Sequence, residues 1–229
     1  MSRLAFDPHE DFQRRIASGD AALRLYAILD AESCERRGLP LIAVAEAWRH
    51  AGIRLIQYRD KQGSDHTVLA NARLIKAAFE GADAILILND RVHLLESSGF
   101  HGVHVGQTDS SISRTRAIIG PDAVLGVSTH TPDQLSDADE TDVTYVAIGP
   151  VYGTQTKLDA APVVGLEGLR TARSLTRKPL VAIGGISADS ALSVREAGAD
   201  SIALISALLP APGDPLDQAA NAFVRLLTE

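Results

Sequence analysis

The sequence predicts one α/β domain of the (β/α)8, or TIM, barrel class, preceded by an extra N-terminal helix. Eight apolar runs of four or five residues recur along the 229-residue chain, with helix-sized gaps between them. Short apolar runs that end in polar residues are typical of fully buried strands, and strands that alternate with helices pair in parallel. The length also fits this barrel, whose usual size is about 250 residues with roughly 200 as the lower end.

Each predicted strand is followed by a segment with helical character. The predicted strands are Leu25–Leu29, Ile53–Ile56, Ile85–Leu88, Gly102–Val105, Val124–Val127, Tyr145–Ile148, Leu180–Ile183 and Ser201–Leu204. Between the second and third, Val68, Ala72, Ile75 and Phe79 recur at a spacing that places them on one face of a helix. Thr131 before Pro132, and Ser187 further on, are typical residues for the start of a helix. The alternative is a doubly wound open sheet. Such a sheet usually has a Gly-rich turn after its first strand, which this chain lacks.

The chain divides into an N-terminal extension, residues 1–23, and a barrel domain, residues 24–229. The extension carries Phe6, Phe12 and Ile16, which predict a helix that closes the bottom of the barrel or lies on its side. The stretch from Asp30 to Leu39 is predicted to be a long loop, and Cys34 within it a free thiol.

Composition excludes several classes of function. The formal net charge of −7 argues against a general nucleic-acid or anionic-membrane surface, so any anion site must be a local cluster of positive charge. A single cysteine cannot form an internal disulfide, and no apolar run is long enough for a membrane span. We expect a cytoplasmic protein that acts on small molecules; the sequence leaves a homo-oligomer open.

Charged and amide side chains follow the second predicted strand. In a barrel of this class the chemistry is built at the C-terminal ends of the strands. Gln57, Arg59 and Lys61 alternate, so they can share one face. An amide and two cations suit a phosphate, although a salt-bridged surface loop with Asp60 and Asp65 is an equal alternative for this string alone.

Two carboxylates follow the third and fourth predicted strands. Asp90 comes after Asn89, and Asp109 lies in the loop that follows Val105. Mg²⁺ prefers one or two protein carboxylates together with phosphate oxygens and water. The alternative is that each aspartate caps the next helix, but two at neighbouring strand ends favour the metal.

The remaining strand ends carry hydroxyls, glycines and one lysine. Ser128 and His130 follow the fifth strand, Thr154, Gln155, Thr156 and Lys157 follow the sixth, and Gly185, Ile205 and Ser206 follow the last two. Barrels of this class often hold a phosphate at the loops after strands seven and eight. There is no serine-protease order of residues, zinc-type histidine cluster or dinucleotide fingerprint. A site rich in phosphate and metal ligands but poor in bases suits a transfer in which pyrophosphate departs.

Seven strings, in order from Arg24 onward, resemble the thiamine phosphate synthase family. They are IQYRDK, LILNDRVHLL, GVHVGQTD, GVSTHT, VAIGPVYGTQTK, VAIGGIS and AGADSIALISALL. The resemblance implies a (β/α)8 barrel and a transferase. The enzyme joins 4-amino-2-methyl-5-(diphosphooxymethyl)pyrimidine to a thiazole phosphate in an Mg²⁺-dependent, dissociative reaction that releases pyrophosphate.

The resemblance also implies residue roles. The pyrimidine diphosphate would be held by Gln57, Tyr58, Arg59, Asp60, Lys61, Asn89, Ser128 and Lys157, with Arg59, Lys61, Ser128 and Lys157 as the catalytic set. Mg²⁺ would be bound by Asp90 and Asp109. The thiazole phosphate would be held by Thr154, Gln155, Thr156, Gly185, Ile205 and Ser206.

The chain departs from the family at His101, which stands where an acidic residue is usual, and at Tyr58, Asp60, Gly153 and Ser201. Two alternatives share the scaffold. One is a paralogue that tautomerises a thiazole carboxylate phosphate, with His130 as its acid or base. The other is a non-catalytic regulatory protein of the same pathway, which should have lost its metal ligands.

Overall fold

The computed structural model describes residues 7–154 and 162–228 of the chain. Strands and helices alternate along it after an N-terminal helix. The elements are α1 (Pro8–Ala17), β1 (Leu25–Asp30), α2 (Ala31–Arg36), α3 (Leu41–His50), β2 (Leu55–Arg59), α4 (Asp65–Ala78), β3 (Ile85–Asn89), α5 (Leu95–Ser98), β4 (Gly102–Val105), α6 (Ile112–Ile119), β5 (Val124–Thr129), α7 (Pro132–Asp139), β6 (Tyr145–Ile148), α8 (Gly165–Leu175), β7 (Leu180–Ile183), α9 (Ala188–Glu196), β8 (Ser201–Leu204) and α10 (Gln218–Thr228). Short 3-10 helices span Ala21–Leu23, Val92–Leu94 and Ser206–Leu208.

The eight strands close into a parallel barrel in sequence order, with β1 paired to β8. This confirms the predicted fold class. Four predicted strands match the observed bounds: β4, β6, β7 and β8. The other four run one to three residues further at the C-terminal end, and β2 begins two residues later than predicted and ends at Arg59. The polar residues predicted to follow β2 therefore partly belong to it.

Alternation along the strands sorts side chains into two cores. Residues that face the barrel interior form one apolar cluster, which includes Tyr26, Ile28, Ile87 and Tyr145. Residues that face outward pack beneath the helices in a larger cluster. Because successive side chains on a strand point to opposite faces, each strand serves both cores. The C-terminal end of the interior is left to polar groups.

Helix α1 closes the N-terminal end of the barrel, as one of the two sequence-based alternatives proposed. Phe12 is fully buried in the interior cluster and stacks on Tyr145, with ring centroids 5.3 Å apart. The His9 backbone N–H donates to the Asp122 carbonyl oxygen just before β5, at 2.9 Å. The Arg15 side chain reaches Asp83, just before β3, at 3.3 Å. The helix is thus fixed to the rim at two places.

The helix-start predictions are confirmed. The Thr131 side chain accepts from the Gln134 backbone N–H at the start of α7, and Ser187 forms a reciprocal capping box with Ser190 at α9. In α4 the side chains of Val68, Ala72 and Ile75 are buried on one face.

The prediction of a long loop from Asp30 to Leu39 is wrong, because α2 occupies most of it. The Asp30 carboxylate accepts from the Ser33 backbone N–H at 2.8 Å and caps this helix. The segment has no apolar repeat, so its helical signal is only the cap. Cys34 is buried in α2 instead of lying in a polar loop, and burial raises the pKa of its thiol to about 11. None of the described helices is both long and apolar enough to cross a membrane.

Candidate active site

Two neighbouring cavities open at the C-terminal end of the barrel interior. The smaller, about 70 Å³, is lined by the charged ends of β2, β3 and β4. The larger, about 180 Å³, is lined by the loops that follow β5 to β8. Ser128, Ala147, Ile183, Ala203 and Ile205 line both, so the two cavities share a wall.

Strand β2 and the loop after it place alternate side chains in the smaller cavity. Gln57, Arg59 and Lys61 all line it, as their alternation predicts. Tyr58 and Asp60 do not line either cavity. The Tyr58 side chain is buried in the outer core, where its hydroxyl donates to Asp60 and accepts from Asn71. The structure therefore does not bring Tyr58 and Asp60 to the site. Successive side chains on a strand point to opposite faces, so Tyr58 points away from the cavity that Gln57 and Arg59 line.

Both cations of the smaller cavity contact carboxylates. Arg59 forms ion pairs with Asp30 and with Glu32, and Lys61 forms one with Asp90. Glu32 also accepts from the Lys61 backbone N–H at 2.8 Å, which fixes the loop after β2. Although burial opposes it, the Ser33 and Arg59 contacts lower the pKa of Asp30, so this carboxylate stays charged beside the guanidinium.

The two aspartates predicted to bind metal contact each other. Burial raises the pKa of Asp90, with the Asp109 carboxylate adding to the shift and Lys61 opposing it. The hydrogen bonds from Asp90 and from the Gly106 backbone N–H lower the pKa of Asp109 against burial. The two carboxylates therefore differ in proton affinity, and Asp90 is the more readily protonated of the pair.

Neither aspartate caps a helix, which removes the alternative explanation for them. Helix α6 is capped by Ser111, while Asp109 accepts from Gly106 at 2.8 Å. Asp90 has a left-handed backbone, with φ of 58°. A non-glycine residue seldom adopts that conformation, and such residues cluster at functional sites.

The donor set fits Mg²⁺. No group of three or more His, Cys, Asp or Glu side chains that could hold a metal ion occurs among residues 7–154 and 162–228. Mg²⁺ needs fewer, since it is usually held by one or two carboxylates plus phosphate oxygens and water. The local charge also fits, because Arg59 and Lys61 are outnumbered by the four carboxylates of Asp30, Glu32, Asp90 and Asp109.

The larger cavity contains the groups predicted to hold a second phosphate. Thr154, Gly185, Ile205 and Ser206 all line it. Gly185 has φ of +64°, and a Cβ atom there would lie 2.4 Å from the Gly153 carbonyl oxygen. The backbone of this turn therefore requires glycine, and the absence of a side chain at Gly185 lets a ligand approach the backbone closely.

The other predicted site residues are also placed. Asn89 lines the smaller cavity and Ser128 both. The His130 Nδ1 lies 2.6 Å from the Gly149 carbonyl oxygen, in the larger cavity. Gln155, Thr156 and Lys157 lie outside the described residues.

Sequence reasoning missed five residues of the site. Asp30 and Glu32 hold the Arg59 guanidinium, and Tyr26, His104 and Tyr145 fill the interior beside Gln57 and Ser128. One signal was available for Tyr145. Gly126 interrupts the apolar strand β5, and a Cβ atom on it would lie 2.0 Å from the Tyr145 ring. A glycine within a strand often marks such a close approach.

Comparison with known proteins identifies the family of this chain. A family model described as thiamine monophosphate synthase matches residues 25–208. Thiamine-phosphate synthase from Koribacter versatilis is 46% identical over 93% of this chain and 99% of its own length, and the one from Azorhizobium caulinodans is 40% identical over 83% and 89%. The structure of thiamine phosphate pyrophosphorylase from Pyrococcus furiosus is similar, with a TM-score of 0.79 and 29% identity over 90% of this chain and 96% of that one. This chain is a transferase and belongs to the thiamine monophosphate synthase family.

Proposed function

We propose that the chain joins 4-amino-2-methyl-5-(diphosphooxymethyl)pyrimidine to a thiazole phosphate, with Mg²⁺, and releases pyrophosphate and thiamine phosphate. The observation that carries this assignment is the pair of cavities with a shared wall. One cavity gathers cations and paired carboxylates for a diphosphate with its metal, and the other gathers glycine and hydroxyls for a monophosphate. The pyrimidine methylene carbon and the thiazole nitrogen would meet where the two cavities adjoin.

The reaction needs charge stabilisation more than a base. The bond from the pyrimidine methylene carbon to the diphosphate oxygen breaks, and its electron pair leaves with pyrophosphate. The thiazole ring nitrogen then forms the new bond to that carbon, and it has no proton to lose. Groups that bind the leaving oxygen more tightly as its charge grows lower the barrier. Arg59, Lys61, Ser128 and Lys157 are the residues we assign to this role.

Carboxylates orient the cationic residues before the substrate binds. Asp30 and Glu32 fix the Arg59 guanidinium, and Glu32 fixes the backbone of the Lys61 loop. A group that is already oriented loses less entropy when it binds the diphosphate. Asp90 and Asp109 would hold Mg²⁺, which supplies positive charge to the diphosphate oxygens when bound.

The test is pyrophosphate release. Purified protein is mixed with Mg²⁺ and both substrates, and pyrophosphate and thiamine phosphate are measured against mixtures that lack one substrate or contain EDTA. We expect both products in equal amounts only in the complete mixture. Pyrophosphate release without thiamine phosphate, or full activity in EDTA, would contradict the assignment.

One observation favours a second candidate function. The Gly149 carbonyl oxygen can accept the Nδ1 proton of His130, which leaves the other ring nitrogen basic in the larger cavity. That arrangement suits proton transfer on a thiazole carboxylate phosphate. Incubation with that compound alone, followed by NMR of its ring protons, tests the activity. The paired Asp90 and Asp109 would have no use in such a reaction, so the synthase reaction is preferred.

A further inference from the structure

A chain of hydrogen bonds crosses the barrel interior beneath the smaller cavity. The Gln57 Nε2 lies 2.8 Å from the Tyr26 hydroxyl, which lies 2.8 Å from the Tyr145 hydroxyl. The Tyr145 hydroxyl lies 2.9 Å from the His104 Nδ1, and the His104 Nε2 lies 2.8 Å from the Ser128 hydroxyl. Both ends of this relay, Gln57 and Ser128, line the cavity, and so do Tyr26 and His104 between them.

The chemistry of the groups gives the relay a direction. The Gln57 amide nitrogen only donates, so the Tyr26 oxygen accepts from it. Burial raises the pKa of Tyr26 and of Tyr145, so each hydroxyl keeps its single hydrogen. The Tyr26 hydroxyl therefore donates a hydrogen bond to the Tyr145 oxygen, and the Tyr145 hydroxyl donates one to the His104 Nδ1.

The opposite order between the tyrosines leaves a hydrogen without an acceptor. If Tyr145 donated to Tyr26, the Tyr26 hydroxyl would accept two hydrogens, and no third partner for it is seen among the described residues. Tyr26 lines the smaller cavity but is only 1% exposed, so bulk solvent does not supply that partner. A buried unpaired hydroxyl is costly, and the one-way chain avoids it.

The rings of the relay are tightly held. Phe12 and His104 both stack on Tyr145, with centroids 5.3 and 5.6 Å away, and Tyr26 meets it edge-on at 5.9 Å. Gly126 provides the space for the Tyr145 ring. Helix α1 therefore braces the relay from the closed end of the barrel.

We propose that Tyr26, Tyr145 and His104 are positioning residues that hold His104 as its Nε2–H tautomer and set the polarity of the two groups at the cavity. The Gln57 amide oxygen is then left to accept from a ligand, and the Ser128 hydroxyl, which accepts from His104, is left to donate to one. This inference rests on the proposed function only in that a diphosphate oxygen is the acceptor that Ser128 would meet.

The tautomer is tested without any substrate. The native protein is labelled with ¹⁵N-histidine, and the His104 signals are assigned by their loss in His104→Gln. We expect one neutral tautomer with the proton on Nε2. A proton on Nδ1, or on both nitrogens near pH 7, would overturn the relay whether or not the enzyme makes thiamine phosphate.

Two conservative variants then break the relay at different links. Tyr145→Phe removes the donor to His104, so we expect the ¹⁵N signals of His104 to show a mixture of tautomers. Tyr26→Phe leaves that donor in place, so the tautomer is kept while Gln57 loses its acceptor. Both keep the ring packing, and thermal unfolding verifies the fold of each.

Kinetics separate positioning from a merely structural role. We expect each variant to lower kcat/KM for the pyrimidine diphosphate about tenfold, the scale of one well-formed hydrogen bond, and to leave KM for the thiazole phosphate within about twofold of the native value. Tyr58→Phe is the matched control, since it removes another buried tyrosine hydroxyl on the outer face of β2. Losses no larger than in this control, or equal losses for both substrates, would overturn the proposal. If native protein releases no pyrophosphate, the proposed function fails and the NMR result alone decides the relay.

Discussion

The two ends of the barrel interior differ in what their side chains do. At the N-terminal end, Phe12 of α1 is fully buried against Tyr145 and fills the interior with apolar surface. At the C-terminal end, Lys61, Asp90 and Asp109 line a small polar cavity. The first arrangement favours folding, whereas the second places like charges together at a cost in stability. The contrast assigns stability to one end and chemistry to the other, and the Tyr26–Tyr145–His104 relay connects them.

The largest effect on stability should come from a substitution in the apolar packing at the N-terminal end of the barrel. Phe12→Ala removes a fully buried ring, and we expect the free energy of unfolding to fall by about 3–5 kcal/mol. Denaturant unfolding measures the loss. Leu74→Ala is the control, since Leu74 is 52% exposed and its truncation should cost no more than about 0.5 kcal/mol. An unfolding free energy of Phe12→Ala within 1 kcal/mol of that control would mean that α1 is not a structural plug.

The next largest effect should be a loss of turnover from substitutions at the C-terminal end of the barrel, with the fold intact. Asp90→Asn and Asp109→Asn keep the side-chain shape but remove a charged metal ligand, so we expect turnover at saturating Mg²⁺ to fall about 100-fold. The melting temperature should not fall, because each substitution removes the repulsion between the neighbouring Asp90 and Asp109 carboxylates. Steady-state kinetics over a Mg²⁺ titration provide the measurement, with Asp133→Asn at the start of α7 as an exposed control. A large loss of stability with normal turnover would reverse the contrast between the two ends.

The sequence predicted the barrel because buried parallel strands need continuous apolar runs, and it predicted the cavity residues because strand ends meet at one rim. It did not predict α2, whose six residues carry no apolar repeat. It also missed Tyr26 and His104, because an aromatic or histidine within a strand reads as ordinary core until its hydrogen-bond partners are known. Tyr58 was assigned to the substrate by resemblance, although alternation along β2 already directed it away from the cavity.

A third prediction separates close approach from backbone strain. Gly185→Ala should raise KM for the thiazole phosphate about tenfold, because its Cβ would displace the Gly153 carbonyl at the larger cavity and the backbone has positive φ. Gly81→Ala is a matched control. Gly81 also has positive φ, +72°, but nothing lies within 4 Å of a Cβ atom there. It should lose about 1 kcal/mol of stability and no affinity. Equal increases in KM for both substrates in Gly185→Ala would indicate general distortion instead.

The smallest effect concerns pH at the closed end. His101 precedes β4, and its Nδ1 accepts from the Leu86 backbone N–H at 3.0 Å. Burial lowers its pKa, helped by Lys76 and opposed by Asp11. Protonation would place a charge in this buried position near Lys76, which is why the folded protein disfavours it, and it would also remove the acceptor for the Leu86 N–H.

The sign of the pH dependence follows from that shift. Above the unfolded value of about 6.5, His101 is neutral in both states and its contribution to stability is complete. As the pH falls below that value, the unfolded chain takes up a proton that the folded chain does not, so stability is lost down to the lower folded pKa. His101→Asn keeps an acceptor near the Leu86 N–H but cannot titrate. Its free energy of unfolding between pH 7 and pH 5 should therefore fall less steeply than that of the native protein. His9, whose pKa is also lowered by burial, contributes equally to both proteins and cancels in the comparison. A slope that is the same in both proteins would show that the His101 ring is protonated as readily in the folded chain as in the unfolded one.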